Sequence, residues 1–113
     1  KRIYDPVARN DGLRVLVDRL WPRGVKKEDA DLDHWFRELA PSDDLRKWYG
    51  HDPEKWEAFR ERYMAELDEK QDREAIETLA EAADGGRVTL LFAAKDEAHN
   101  NAVVLKHYLQ DRE

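Results

Sequence analysis

An apolar run near the start of the chain ends in the heptapeptide DRLWPRG, whose residue types could bind or convert an anion. Asp18 is a candidate general acid or base, and Arg19 and Arg23 carry planar guanidinium groups that suit carboxylate or phosphate. Trp21 would supply an aromatic wall, and Gly24 would let the backbone approach a ligand closely. The alternative is structural, with Asp18 paired to one arginine and Trp21 packed in the core.

A second polar segment, KDEAHNN, follows the apolar run VTLLFAA. His99 lies three residues after Asp96, a spacing at which the carboxylate can orient the imidazole for proton transfer. Lys95 and Asn100 add a positive charge and an amide at the predicted start of the last helix, whose free N–H groups attract anions. The alternative is that Asp96 only caps this helix.

A third polar segment is PSDDLRKWYGHDPEKW, and much of it is helix punctuation. Ser42 is typical of a helix N-cap, and a proline follows Asp52 where a helix would begin. Punctuation does not explain Arg46, Trp48, Tyr49 and His51, which crowd around a glycine. These four residues either line a pocket or pack against the rest of the molecule.

The elements around these segments must bring them together. The runs LRVLV and VTLLFAA are typical of strands that are covered on both faces. The long segment between them predicts helices at Leu32–Leu39, Asp43–Trp48, Pro53–Asp68 and Arg73–Ala83. A last amphipathic helix follows the second strand. The long helical crossover predicts that the two strands are parallel.

The opening residues KRIY predict a further strand, and the turn signal NDG separates it from LRVLV. The short separation favours a hairpin between these two strands, although strands that are not neighbours could still run parallel. The expected class is therefore α/β: a small, mostly parallel sheet with a long multi-helix crossover in a Rossmann-like three-layer arrangement. In such sheets ligands bind beyond the carboxyl ends of the strands. DRLWPRG and KDEAHNN should thus face each other at one edge.

Length and charge limit the choice of function. A chain of 113 residues predicts one domain, residues 1–113, and the start at Lys1 instead of Met suggests that a few N-terminal residues are missing. A net charge of −6 argues against nucleic acid and anionic membranes as partners. No apolar stretch reaches the roughly 20 residues of a membrane span. Together with the absence of cysteine, this favours the cytoplasm.

No cofactor or metal is indicated. The four histidines do not form HExxH or another standard ligand spacing, and cysteine ligands are absent. The sequence also lacks GxGxxG, a P-loop and a GxSxG elbow. We therefore expect neither a metal site nor a bound cofactor.

Three stretches, RVLVDRLWPRG, LAPSDDLRKWYGHDPEKWEAF and VTLLFAAKDEAHNNAVVLKHYL, together resemble the short, YeaO-like branch of domain-of-unknown-function family 488. The resemblance covers nearly the whole chain and implies a compact α/β fold with its polar residues in these stretches, Ser42 included. It supplies no established reaction. Longer relatives carry a cysteine and a His-Arg pair near the last strand, where this chain has Phe92 and Ala93, so thiol chemistry does not carry over.

The combined expectation is a protein that binds a small anionic, phosphate- or nucleotide-like molecule at the carboxyl ends of the strands. Arg19, Arg23 and Arg46 would hold the anion, and Asp18, His51 or His99 would move protons in a hydrolase or transferase step. The sequence leaves open whether the chain is an enzyme. The alternative is a non-catalytic ligand-sensing or protein-interaction module, and the oligomeric state is not indicated.

Overall fold

A computed structural model describes residues 1–69 and 73–111 and contains one three-stranded parallel sheet. The strands are β1 (Leu13–Leu16), β2 (His34–Trp35) and β3 (Val88–Leu91), in the order β2-β1-β3. β1 pairs with β3 along its whole length. All three strands therefore end at the same edge, as the sequence predicts for β1 and β3.

Within the described residues, the α-helices that accompany the sheet are α1 (Lys27–Ala30), α2 (Asp43–Tyr49), α3 (Trp56–Glu69), α4 (Arg73–Gly85) and α5 (Asn101–Asp111). The helices expected around α2, α3 and α4 are confirmed to within a few residues. α5 begins only at Asn101, because Asp96 and Asn100 hold the preceding residues in turns. The short α1 was not predicted.

The helix expected at Leu32–Leu39 is wrong, because this segment contains β2 and a 3₁₀ turn at Arg37–Leu39. The backbone of Asp33 donates to Arg14 O at 2.9 Å, and its carboxylate accepts from Arg14 N at 2.8 Å. Aromatic residues also favour strands over helices. Pairing with β1 therefore outweighs the local apolar spacing that suggested a helix.

The hairpin expected between the opening residues and β1 is also wrong. Both sides of β1 are already paired with β2 and β3, so the opening residues lie beside β3 instead. Ile3 N donates to Phe92 O at 2.8 Å, and Phe92 N donates to Lys1 O at 3.2 Å. The pairing is a single parallel bridge between Arg2 and Phe92.

Two apolar clusters cover the faces of the sheet. The larger one joins Val15 and Val17 to buried side chains of α2 to α5, including Phe59 and Tyr63. The smaller one joins Leu16 to α1, to the partly buried Trp35 of β2 and to Trp21 of the loop after β1. The α/β class is thus confirmed. The Rossmann-like three-layer arrangement is not confirmed, because a four-residue helix and loops cover the second face of the sheet.

A buried ion cluster fixes the start of the chain to β1. The carboxylate of Asp11 accepts from Ala8 N and Lys1 Nζ, each at 3.0 Å, and pairs with Arg14. The Ala8 N–H and the Lys1 ammonium lower the pKa of Asp11 to about 2. Arg14 also donates to the carbonyls of Ala30 and Asp31 at the end of α1.

Candidate functional site

A cleft of about 470 Å³ lies at the edge where β1 and β3 end. Its volume is in the range of small-molecule sites. The residues that line the cleft are Tyr4, Asp18, Arg19, Leu20, Trp21, Pro22, Arg23, Ala40, Pro41, Arg46, Tyr49, His51, Phe59, Ala93, Ala94, Asn100 and Asn101. Loops that are distant in sequence thus meet at this edge, in agreement with the expectation for DRLWPRG and KDEAHNN.

Asp18 lies in the inner part of the cleft and joins β1 to β3 and α5. One carboxylate oxygen, Oδ2, accepts from Ala93 N at 2.9 Å, and Oδ1 accepts from Asn101 Nδ2 at 3.2 Å. The Asp18 carbonyl accepts from Trp35 Nε1 at 2.8 Å. In the described ranges the ion pairs of Arg19 and Arg46 go to Asp43 and none goes to Asp18. Neutral N–H donors therefore bind the Asp18 carboxylate in place of the arginine that the structural alternative expects.

The surroundings of Asp18 make its charge costly. Burial raises the pKa of the carboxyl above its usual value, and the Ala93 N–H, the Asn101 amide and the nearby His51 offset this only in part. A carboxylate kept in such a place lowers the stability of the protein at neutral pH. Elevated pKa values of this kind concentrate at functional sites.

Arginines surround the outer part of the cleft. Arg19 Nε donates to Pro41 O at 3.3 Å and lies 3.6 Å from Asp43 Oδ1. Arg46 Nη2 lies 3.4 Å from the same carboxylate oxygen. Arg23 is exposed, and its backbone carbonyl accepts from Tyr4 Oη at 3.0 Å. Two guanidinium groups therefore share one exposed carboxylate.

Aromatic rings form part of the walls. The Trp21 indole packs edge-on against Trp35, with ring centroids 5.3 Å apart, and its N–H donates to Val25 O at 2.7 Å. Tyr49 stacks on Phe59 at 4.2 Å. Burial raises the pKa of Tyr49, whose hydroxyl donates to the carbonyl of His99. These contacts hold the rings in place before any ligand arrives.

About half of the residues predicted from the sequence line the cleft: Asp18, Arg19, Trp21, Arg23, Arg46, His51 and Asn100. Asn100 is buried, and its amide has a structural role. Nδ2 donates to Asp96 O at 2.9 Å, while Oδ1 accepts from Val103 N at 3.1 Å in the first turn of α5. His51 is exposed at the rim and has a positive φ of 58°.

Ser42, Trp48 and Gly24 lie outside the lining. Ser42 caps α2 by accepting from Leu45 N, and its hydroxyl donates to Glu66 Oε2 at 2.6 Å. Trp48 contacts the cationic groups of Lys55 and Arg62. Gly24 has a φ of 75° and no atom near the position of a side chain, so the backbone conformation accounts for the glycine.

Lys95, Asp96 and His99 also lie outside the lining. Asp96 accepts from the backbone N–H groups of Ala98 and His99 and lies 3.0 Å from His99 Nδ1. These hydrogen bonds lower the pKa of Asp96, and the bond from Ala98 N has the largest effect. The carboxylate thus both caps the turn and orients the imidazole, but the ring packs against Trp56.

Asn101 and Tyr49, which belong to the predicted polar segments, also line the cleft, and Phe59 joins them from α3. Asn101 Nδ2 donates to Val17 O at 2.9 Å and to Asp18 Oδ1 at 3.2 Å. Phe59 is buried in the core, and its helical spacing relative to Tyr63 is that of a core residue. Periodicity cannot show that one ring serves both the core and a cleft wall.

Neither a clustered metal site nor a membrane-spanning helix is found in residues 1–69 and 73–111. No group of three or more histidine, aspartate or glutamate residues is placed to hold an ion there. Every helix in this part of the chain is too short or too polar to cross a bilayer.

Comparison with known proteins identifies the family. The family described as "DUF488-N3i: Inactive DUF488-N3 subclade" matches residues 1–113. The uncharacterized protein YeaO of Escherichia coli K12 is 46% identical over 110 residues, which cover 97% of this chain and 94% of YeaO. The uncharacterized protein Rv3073c of Mycobacterium tuberculosis H37Rv is 39% identical over 111 residues, with coverage of 98% and 92%. No solved structure gives a significant match. The chain therefore belongs to the DUF488 family, in its YeaO-like branch and the subclade described as inactive.

Proposed function

We propose that this protein is a non-catalytic module that binds a small anionic molecule, phosphate- or nucleotide-like, in the cleft. The observation that carries the proposal is the pair of arginines at the rim, Arg19 and Arg46, which share the single carboxylate of Asp43. Guanidinium groups bind phosphate and carboxylate through paired charge-assisted hydrogen bonds. Because Asp43 is the one carboxylate that these two guanidinium groups share, some of their N–H donors are left for an incoming anion.

The local charge supports an anion although the whole chain is acidic. The net charge of the protein is −6, yet Arg19, Arg23, Arg46 and His51 all line one cleft. A concentrated positive rim on an acidic molecule attracts small anions more readily than extended polyanions, which meet the negative remainder of the surface. This favours a small molecule over nucleic acid.

The arrangement of the predicted acid and base groups favours binding without turnover. His99 packs against Trp56 and does not line the cleft, and His51 is exposed to water at the rim. A general base needs a free, oriented group within reach of its proton. The description of the subclade as inactive agrees with this interpretation.

An acid/base enzyme is the second candidate, and one observation favours it. Burial raises the pKa of Asp18, which lines the cleft, and raised carboxyl pKa values are common among catalytic acids. In that case Asp18 would donate or accept a proton on the bound anion. Recovery of the ligand unchanged after prolonged incubation would exclude this candidate for the ligand tested.

The proposal is tested by titration calorimetry with inorganic phosphate, nucleoside monophosphates and sugar phosphates. We expect at least one phosphate compound to bind, and Arg46→Met to weaken it about 10-fold or more, since a charge-assisted hydrogen bond contributes roughly 1.5–3 kcal/mol. Lys47→Met is the matched control, because Lys47 is the next residue of α2, carries the same charge and does not line the cleft.

Two results would contradict the proposal. One is the absence of binding for every compound in the series. The other is an equal loss of affinity in Arg46→Met and Lys47→Met, which would indicate that only the general charge of the surface matters. Conversion of a bound compound would replace the non-catalytic proposal with the enzyme.

A further inference from the structure

We infer that the cleft selects, within the anions that the proposed function assigns to it, a nucleoside monophosphate whose base presents neighbouring N–H donors, as guanine does. In this inference, which rests on the proposed function, Asp18 is the residue that determines specificity. The arginines would hold the phosphate, and the carboxylate would accept hydrogen bonds from the base.

The two ends of the cleft differ in chemistry. Asp18 and Arg19 are adjacent in sequence, but their side chains make contacts in different directions. Asp18 contacts Ala93 and Asn101 beyond β3, whereas Arg19 contacts Pro41 and Asp43 before and within α2. The cleft therefore presents a hydrogen-bond acceptor at Asp18 and donors at the arginines.

The negative charge of Asp18 disfavours a ligand that carries negative charge over its whole length. Two negative charges repel each other strongly where water is excluded. A ligand that fills the cleft must therefore carry its charge toward the arginines and present a neutral or donating group to Asp18. Inorganic phosphate can use only the outer part of the cleft.

Acceptor capacity remains on Asp18 after its contacts with the protein are made. Each oxygen of an ionised carboxylate has two lone pairs. Oδ2 uses one for Ala93 N, and Oδ1 uses one for Asn101 Nδ2 in a rather long bond of 3.2 Å. One acceptor position is left on each oxygen, which matches two adjacent N–H groups on the edge of one base.

The walls suit the flat body that joins these two groups. Trp21 lines the cleft, is partly exposed and is fixed by its edge-on contact with Trp35. Tyr49 and Phe59 are buried, at 5% and 2% exposure, and add only small apolar areas to the lining. Aromatic side chains stack on nucleobases with little dependence on sequence. Stacking alone would therefore not distinguish bases. In this inference the Asp18 carboxylate discriminates between them.

The inference is tested by calorimetric titration of GMP, AMP and inorganic phosphate into the parent and into Asp18→Asn. AMP matches GMP in size and charge, but its base presents an amino group beside a ring acceptor. We expect the parent to bind GMP at least about 10-fold more tightly than AMP, because buried polar groups left unpaired reject an analogue strongly. In Asp18→Asn this preference should disappear, while phosphate binds equally well or better.

Each outcome separates the inference from the proposed function. Equal affinities for GMP and AMP in the parent would overturn the inference and leave the proposed function standing. The inference would also be overturned, with the proposed function still standing, if Asp18→Asn raised the affinities for GMP and phosphate by the same factor. Asp18 would then only repel anions. If no compound binds the parent, both fail. The comparison of GMP with AMP needs only the parent, so it decides the inference even if the variant does not fold.

Discussion

Asp18 illustrates how one residue can oppose stability while organising a site. The carboxylate is largely buried and its pKa is raised, yet it joins the end of β1 to the end of β3 and to the first residue of α5. An apolar residue would avoid the cost of a buried charge but would leave the Ala93 N–H without its acceptor. We interpret the residue as retained for the cleft.

The Asp11 carboxylate should stabilise the folded protein at neutral pH, whereas the charge of the Asp18 carboxylate opposes stability there. Its folded pKa is about 2, below the ordinary 3.8, so its stabilisation is complete above about pH 4 and is lost as the pH falls through about 2. We expect Asp11→Asn to lower the urea midpoint at pH 7 and to flatten the loss of stability between pH 4 and pH 2. Asp84→Asn, at an exposed position near the end of α4, is the control. Parallel pH profiles for parent and Asp11→Asn would contradict this assignment.

The Tyr63 hydroxyl should contribute to stability through one buried hydrogen bond. The side chain is fully buried, burial raises its pKa, and Oη donates to Leu39 O at 2.6 Å. Tyr63→Phe would leave that carbonyl without its partner in the core and should cost about 1–3 kcal/mol in urea unfolding. Tyr4→Phe removes an exposed hydroxyl and should change stability by less than about 0.5 kcal/mol. Equal effects would show that the buried bond is not special.

At the scale of elements, glycine positions distinguish packing from backbone strain. Gly12 and Gly24 both have positive φ, 67° and 75°. A Cβ on Gly12 would lie 2.1 Å from Arg87 O, the carbonyl that accepts from Leu13 N at the start of the β1–β3 pairing. A Cβ on Gly24 would meet nothing within 4 Å.

We therefore expect Gly12→Ala to lose at least about 3 kcal/mol and Gly24→Ala only about 1–2 kcal/mol. Thermal and urea unfolding of the two variants measure the difference. A Gly24→Ala protein as unstable as Gly12→Ala would indicate contacts of the DRLWPRG loop that the cleft geometry does not include.

Ser42 should matter for α2 and not for the ligand. Its Oγ accepts from Leu45 N and donates to Glu66, which ties α2 to α3. Ser42→Ala should cost about 1–2 kcal/mol of stability and leave phosphate affinity unchanged at a temperature where the variant is folded. Ser42→Thr keeps the hydroxyl and serves as the control. A selective loss of affinity in Ser42→Ala would return this residue to the binding site.

The elements were predictable where periodicity and length agree. β1 and β3 follow from short apolar runs, and α3 and α4 follow from apolar spacing over several turns. β2 has two residues and α1 has four, too few for a periodic signal. β2 depends on pairing with β1, which is a tertiary interaction that local sequence does not encode.

The site was predictable where it follows directly from the sheet. Asp18 and Arg19 come immediately after β1, so the parallel topology alone assigns them to the carboxyl edge. Whether Arg46 and His51 reach that edge depends on how α2 packs, which the sequence does not state. His99 has the expected neighbour in Asp96, but its ring lies against Trp56 and outside the cleft lining.

At the scale of the whole molecule, an acidic protein concentrates positive charge at one cleft. The long crossover from β1 to β3 brings α2 and its arginine to the edge where β1 ends. The unequal covering of the two sheet faces leaves this edge open between helices on one side and the DRLWPRG loop on the other. We therefore propose that the protein functions at this edge.

The most direct test uses the four tryptophans as reporters in a ¹H–¹⁵N spectrum during titration with inorganic phosphate and then with GMP. Trp21 lines the cleft, while Trp48 lies outside its lining and contacts Lys55 and Arg62. The predicted result is a saturable shift of the Trp21 indole N–H resonance, with the Trp48 resonance unchanged. Absence of any saturable shift, or a shift at Trp48 in place of Trp21, would contradict the assignment of the cleft as the binding site.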